Sequence, residues 1–526
     1  MRISQSKMSV LFFLILFAGI TLQGAEGMWP LYDLNNLPAD SLRAKGLELT
    51  FDQIYNPEGT GIAGAAVQVG GGSGSFVSKD GLIVTNHHVA VGAAQKQSTV
   101  DQNYLRDGFY AGTMAGEIPA IGYKAYVTLG FSDVTEKVLA DVNDDMNDFD
   151  RFQTIDKAKK MIIREAEDKG DVICEVAGMF GGTRYVLYEY LRLRDIRIVY
   201  VPPFYIGNYG GDIDNWMWPR HVGDFSFLRA YVAPDGTPSE YSEENVPYQP
   251  KVFLPISGAG VKEGDFAMVI GFPGRTNRYA SSFEIDYLEK MYYPRAIRTS
   301  EDRVALLEVA SSADSSVAIR LASRMQGINN YLKNNYGMVE GFKKSGLADH
   351  KRKSETMLTE FLNENPELNK KYGHVLNELD SLYRETIKTS ERDFYIRGMS
   401  WSCELYDVAL TLHKWAVERE KDDTERDRGY QDRDSIKTWE WLDHMQINFV
   451  PEVDKASMKY YLNKLAKLPQ DQKIDEIEKI CENSPKGDVE KCIDTYIDNL
   501  YAKTILGDKE MRLGLFGMSR KQIEKH

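Results

Sequence analysis

Glycine and proline are spread so unevenly along this chain that they set its broad architecture before any motif is considered. Of the 43 glycines, 32 lie before residue 276 and 11 at or after it; of the 18 prolines, 13 lie before that point and 5 after. Both residue types interrupt helices and serve turns. The first part therefore predicts short, closely punctuated strands, and the second a succession of helices. Strand candidates are Ala66-Val67-Gln68-Val69, Ser75-Phe76-Val77-Ser78, Leu82-Ile83-Val84-Thr85, residues 197–201, residues 225–232 and Phe266-Ala267-Met268-Val269-Ile270. Lys79-Asp80-Gly81 between two of them is a hairpin signal. Strands at this spacing predict an all-β barrel or sandwich, with a charged surface helix over 144–167 inserted between them.

In the second part, Asn365-Pro366-Glu367 is a helix start, and Leu376, Leu379 and Tyr383 recur on one helical face. Phe361 and Leu362 belong to the preceding helix, and the mixed charges of 421–428 predict a solvated helix end. The net charge of −14 argues against a nucleic acid or an anionic membrane surface as partner. At the N-terminus, Arg2 and Lys7 precede an apolar run over 10–20 and the small residues Gly24 and Ala25. That pattern predicts a cleaved secretory signal over 1–24, a periplasmic or secreted location, and no membrane span in the mature chain. Of the four cysteines, Cys481 and Cys492 are the one pair the sequence offers, while Cys174 and Cys403 read as buried and inert.

The residues that carry chemistry lie in the strand-rich part. Gly81-Leu82-Ile83-Val84-Thr85-Asn86-His87-His88-Val89-Ala90 reads as a strand that ends by presenting a histidine. Strand alternation would send His87 and His88 to opposite faces; His88, followed by the small and apolar Val89-Ala90-Val91-Gly92, is the candidate general base, with His87 as its support. Gly223-Asp224-Phe225-Ser226 sets a carboxylate at the mouth of another apolar strand. A base needs a fixed tautomer, and a carboxylate on its second ring nitrogen supplies one. No zinc spacing or carboxylate cluster supports a metal reading, and the chemistry requires no metal or organic cofactor. Asp212-Ile213-Asp214-Asn215-Trp216-Met217-Trp218-Pro219 packs two tryptophans among polar groups, a density expected to face a substrate.

These motifs, with Gly27-Met28-Trp29, Tyr104-Leu105-Arg106-Asp107-Gly108-Phe109 and Gly271-Phe272-Pro273-Gly274-Arg275-Thr276-Asn277-Arg278-Tyr279, resemble those of the bacterial serine dipeptidyl-peptidases, the family that includes dipeptidyl-peptidases 7 and 11. The resemblance runs through nearly the whole chain after the signal. It implies an α+β fold: a chymotrypsin-like double β-barrel over 25–279, its second barrel largely missing, with a large inserted α-helical lid over 280–526. It implies removal of dipeptides from oligopeptides with a free N-terminus, with His88 as base and Asp224 as orienting acid. It also implies that Asn215, Trp216 and Asn330 bind the substrate's amine. An amide oxygen and an aromatic face can both hold an ammonium.

The family's nucleophile, in a Gly-Asn-Ser-Gly-Ser-Pro turn beyond the helical domain, has no match here. Ser73 sits in a glycine-rich stretch explained by a turn, and Ser345 lies among lysines in the helical part. The expectation is a chain that stops before its catalytic serine and is inactive alone. A non-catalytic peptide-binding relative and a structural envelope protein are the alternatives, and the oligomeric state, a homodimer included, stays open.

Overall fold

The computed structural model describes residues 29–167, 172–274, 280–481 and 488–526. The signal segment 1–24, the residues Gly27 and Met28, and the stretch 275–279 of the last motif lie outside them. All described strands join one antiparallel sheet. They are β1 (Ala66–Val69), β2 (Gly72–Phe76), β3 (Leu82–Thr85), β4 (Phe109–Tyr110), β5 (Ile118–Pro119), β6 (Ala125–Asp133), β7 (Val172–Met179), β8 (Arg184–Leu193), β9 (Asp195–Val201), β10 (Ser226–Val232) and β11 (Val246–Pro247). The spatial order is β4-β9-β10-β3-β2-β1-β6-β8-β7, with β11 on β10 and β5 on β9. β1 turns into β2 through Gly70 and Gly71, both at positive φ, a conformation open to glycine at little cost. The Asp80-Gly81 hairpin joins β2 to β3 with Phe76 opposite Ile83, as its turn residues predict.

Helices of ten residues or more are α1 (His87–Lys96), α2 (Asp148–Glu167), α3 (Tyr293–Ala313), α4 (Ser315–Ser345), α5 (Leu347–Glu364), α6 (Val375–Ser402), α7 (Glu404–Glu418), α8 (Ser435–Asn448), α9 (Pro451–Ala466) and α10 (Val489–Lys503). The division read from glycine and proline thus holds, and Pro366 opens a short helix as expected. Val67, Val69, Phe76, Ile83, Leu193, Ile198 and Leu228 bury the inner face of the sheet against Ala90, Ala93 and Ala94 of α1. Each large side chain there contributes about 1.5–3 kcal/mol. A separate core of Tyr461, Leu465, Ile493, Ile497 and Cys403 holds the helical part together. Cys481 and Cys492 are disulfide-bonded, and Cys174 and Cys403 are free and buried.

Two local expectations are corrected. Residues 266–270 form no strand: no described strand pairs with them, and Val269 is fully exposed. The run 421–428 is not simply solvated. Arg426 is buried, held by Asp432 and by the carbonyl of Lys421. The surface helix expected between strands is present as α2, 148–167, with its Lys160 buried, paired with Asp156 and donating to the Arg426 carbonyl at 2.6 Å. In both cases a cation is drawn inward because its donors are satisfied there.

The two parts meet along α1. Gln95, buried near its C-terminal end, donates to the carbonyl of Arg320 in α4 (2.6 Å) and to Asn448 at the end of α8 (3.1 Å). Lys124 of the sheet region pairs with Glu440 of α8 at 2.6 Å. Among the described residues no helix is long and apolar enough to cross a membrane.

Candidate active site

Antiparallel pairing of β3 with β10 sets Thr85 opposite Ser226. The chain leaving β3 and the chain entering β10 therefore lie at the same end of the sheet. Three residues past Thr85 is His88, and two before Ser226 is Asp224. Their side chains meet: His88 Nδ1 lies 2.8 Å from Asp224 Oδ2, and the His88 backbone N–H donates to Oδ1 at 3.0 Å. Asn86 adds a donor to the same carboxylate at 3.1 Å.

The separation of the two histidines has a different cause from the one expected. Both stand on the first turn of α1, not on a strand. Successive helical residues diverge by about 100°, which buries His87 and leaves His88 more than half exposed. Asn86, at the cap position, makes no side-chain cap bond. Asp224, 136 residues away, takes one of the first-turn N–H groups instead. Burial alone would raise the Asp224 pKa, but hydrogen bonds from the His88 ring and backbone outweigh it and hold the carboxyl below its ordinary value. The carboxylate is thus charged at neutral pH, which places the neutral ring's proton on Nδ1 and leaves Nε2 as an acceptor.

His87 is a contrasting case. Its ring meets Phe204 edge-on, and Gly207 lies so close that an added Cβ would fall 2.2 Å from it. Burial pushes its pKa from 6.5 down to about 4, against the opposing pull of Asp224. His87 is therefore neutral at pH 7, with Nδ1 lacking a hydrogen-bond partner among the described residues.

A second constellation lies on the loop before Asp224. Asn215 and Trp216 reach across to α4: Asn215 Nδ2 donates to Asn330 Oδ1 at 3.0 Å, and Trp216 Nε1 to the Asn330 carbonyl at 3.3 Å. Trp216 is 61% exposed and Trp218 94%, so neither is a core side chain. Asp212 accepts from Asn329 at 2.8 Å, and Lys333 donates to the Ile213 carbonyl. Beside this seam a cleft of about 480 Å³ is lined by Phe204, Asn208, Asp212, Leu321, Met325 and Asn329. All five residues picked from sequence thus fall into two groups, His88 with Asp224, and Asn215 and Trp216 with Asn330.

Sequence reasoning missed Asn86 as a ligand of Asp224 and Arg220 as a ligand of Asn215. Their positions beside His87 and His221 were the available signal. Among the described residues, no serine hydroxyl is hydrogen-bonded to the His88 ring. Ser73 lies within β2 rather than in a turn, and its hydroxyl accepts from the Phe272 N–H at 2.7 Å. Ser345 ends α4, with its hydroxyl on the Gly341 carbonyl.

Residues 24–526 match the family Peptidase S46, and the chain belongs to that family. An Asp/Glu-specific dipeptidyl-peptidase of Shewanella putrefaciens is 33% identical over 502 residues, covering 95% of this chain and 66% of that protein. Dipeptidyl-peptidase 7 of Capnocytophaga gingivalis is 35% identical over 386 residues, covering 73% of this chain and 54% of its own. The chain thus spans about two thirds or less of the length of these relatives. The crystal structure of Porphyromonas endodontalis DPP11 in complex with the dipeptide Arg-Glu superposes with a TM-score of 0.71 at 24% identity, over 95% of this chain and 74% of that one. That likeness establishes the mixed fold of a large antiparallel sheet with many helices.

Proposed function

We propose that this chain is the base-bearing and amine-binding part of an exported serine dipeptidyl-peptidase acting on oligopeptides with a free N-terminus. The observation that carries the reading is the 2.8 Å contact between His88 Nδ1 and Asp224 Oδ2. With Nδ1 occupied, Nε2 can take the proton of a serine hydroxyl as its oxygen attacks the scissile carbonyl. It then returns that proton to the departing amine, and Asp224 stabilises the imidazolium between the two steps. Asn215, Trp216 and Asn330 hold the substrate's ammonium through amide oxygens and an indole face. Fixing the amine two residues from the scissile bond would set the length of the product. In this reading the described sheet is the first barrel of a chymotrypsin-like pair, 25–279 is the peptidase region, and 280–526 is a lid. The identity of the curated relatives and the Peptidase S46 match support the substrate class.

Because no described serine meets His88, residues 1–526 alone are expected to show only trace turnover of a dipeptidyl fluorogenic substrate. They should still bind free-amine oligopeptides and lose that binding on N-acetylation. Equal binding of the two forms would sink the amine-site assignment, and rapid turnover would sink the argument about the nucleophile. The same absence favours a second reading, a peptide-binding relative without catalysis. Labelling of a serine in residues 1–526 by a fluorophosphonate probe, lost in His88→Ala, would exclude this second reading and overturn the nucleophile argument of the first.

A further inference from the structure

We propose that Arg220 is the positioning residue of the amine site, setting which face of the Asn215 amide the substrate meets; this rests on the amine-binding reading above. An asparagine amide can rotate to exchange its oxygen for its nitrogen, and a site that must accept hydrogen bonds from an ammonium works in only one of the two orientations. Something must therefore choose the orientation. Arg220 Nη1 donates to Asn215 Oδ1 at 2.9 Å. A guanidinium has donors and no acceptor, so the oxygen of Asn215 has to face it and the nitrogen has to face away. That nitrogen then donates to Asn330 Oδ1, which fixes the second amide in turn. Both oxygens keep a lone pair for the substrate's ammonium.

Arg220 is well placed to enforce this order. It is half-buried, and Nη2 donates to Asn208 Oδ1 (3.2 Å) and to the Gly211 carbonyl (3.4 Å). The guanidinium is thus held at two points, both through Nη2, before Nη1 reaches Asn215. The loop also carries Asp212 and Asp214, whose carboxylates offset its charge next to a cationic ligand.

The test is calorimetric binding of the tripeptide Ala-Leu-Ala and its N-acetylated form to residues 1–526 and three variants. Arg220→Gln can both donate and accept, so it no longer dictates the Asn215 orientation. It should weaken the free peptide about tenfold, the scale of one hydrogen bond to a charged group, and leave the acetylated peptide unchanged. Adding Asn215→Asp should restore the free peptide to within about threefold, because a carboxylate presents oxygen in either orientation. A merely structural role would not give that rescue. Arg220→Lys keeps one donor and should stay within about threefold of the parent, an arm that stands whether or not Arg220→Gln folds. Parent-like binding by Arg220→Gln, failure of the double variant to recover, or a tenfold loss in Arg220→Lys would each overturn the proposal. Failure of the parent to distinguish the two peptides would instead overturn the amine-site reading on which it rests.

Discussion

Acid should loosen the start of α1 through His87, and the size of the effect follows from its burial. The imidazole is 1% exposed, with an ordinary pKa of 6.5 pushed down to about 4 in the folded chain. Between those two pH values the unfolded or opened state binds a proton that the folded state does not. Stability therefore falls as pH falls through that window and is fully present above it. At about 1.4 kcal/mol per pH unit, lowering the pH from 6.5 to 5 removes about 2 kcal/mol, and reaching 4 removes about 3 kcal/mol. His87→Leu keeps an apolar side chain against Phe204 and Gly207 but cannot titrate. Native-state hydrogen exchange, read by mass spectrometry on peptides covering 87–96 and corrected for intrinsic rates, gives the opening free energy at each pH. The parent should lose about 2 kcal/mol more than His87→Leu between pH 7 and 5. Parallel pH dependences in the two proteins would refute the claim that this ring is held neutral by burial.

Other perturbations probe the surroundings. In Asp224→Asn, the amide oxygen can still accept from the His88 backbone, but its nitrogen must then face both Asn86 and His88 Nδ1. The ring proton should move to Nε2, visible in ¹⁵N spectra of histidine-labelled protein, and stability should fall by about 2–3 kcal/mol. Since the Asp224 pKa is depressed when folded, that stability difference is present above the ordinary carboxylate range and should vanish as the parent carboxylate protonates below about pH 4. Gly207→Ala would drive a methyl into the His87 ring and should cost about 1–3 kcal/mol by overpacking, measured by the same exchange experiment. Reduction of Cys481–Cys492, which closes a loop of eleven residues, should lower the stability of the helical part by about 2–3 kcal/mol in thermal unfolding.

The β2–β3 register was legible because turn chemistry states it locally: Asp80-Gly81 between two β-prone runs leaves little choice. The long ladders of β6, β7 and β8 were not read as strands at all. His88 and Asp224 were also legible as a pair, through the motifs around them. What sequence could not give was the reason they meet, since the pairing of Thr85 with Ser226 joins segments about 140 residues apart. The helical setting of His87 and His88 was missed because α1 begins without a local side-chain cap. Its cap comes from Asp224, while the cap position itself holds Asn86, which turns its amide to the carboxylate instead. Phe266-Ala267-Met268-Val269-Ile270 shows the opposite failure. Its apolar run satisfies every local strand signal, yet a strand exists only where a neighbour offers hydrogen bonds. Arg426 and Lys160 escaped because charge patterning in sequence carries no record of which carbonyl waits across an interface.

The carboxylate that closes the first turn of α1 has a consequence for assembly. A fragment carrying residues 81–96 contains the imidazole and its whole helix but lacks the acid that orients the one and terminates the other. Ring tautomer and helical order at this point are therefore acquired in the same event, when β10 docks beside β3. The ring has no defined tautomer until the sheet is built.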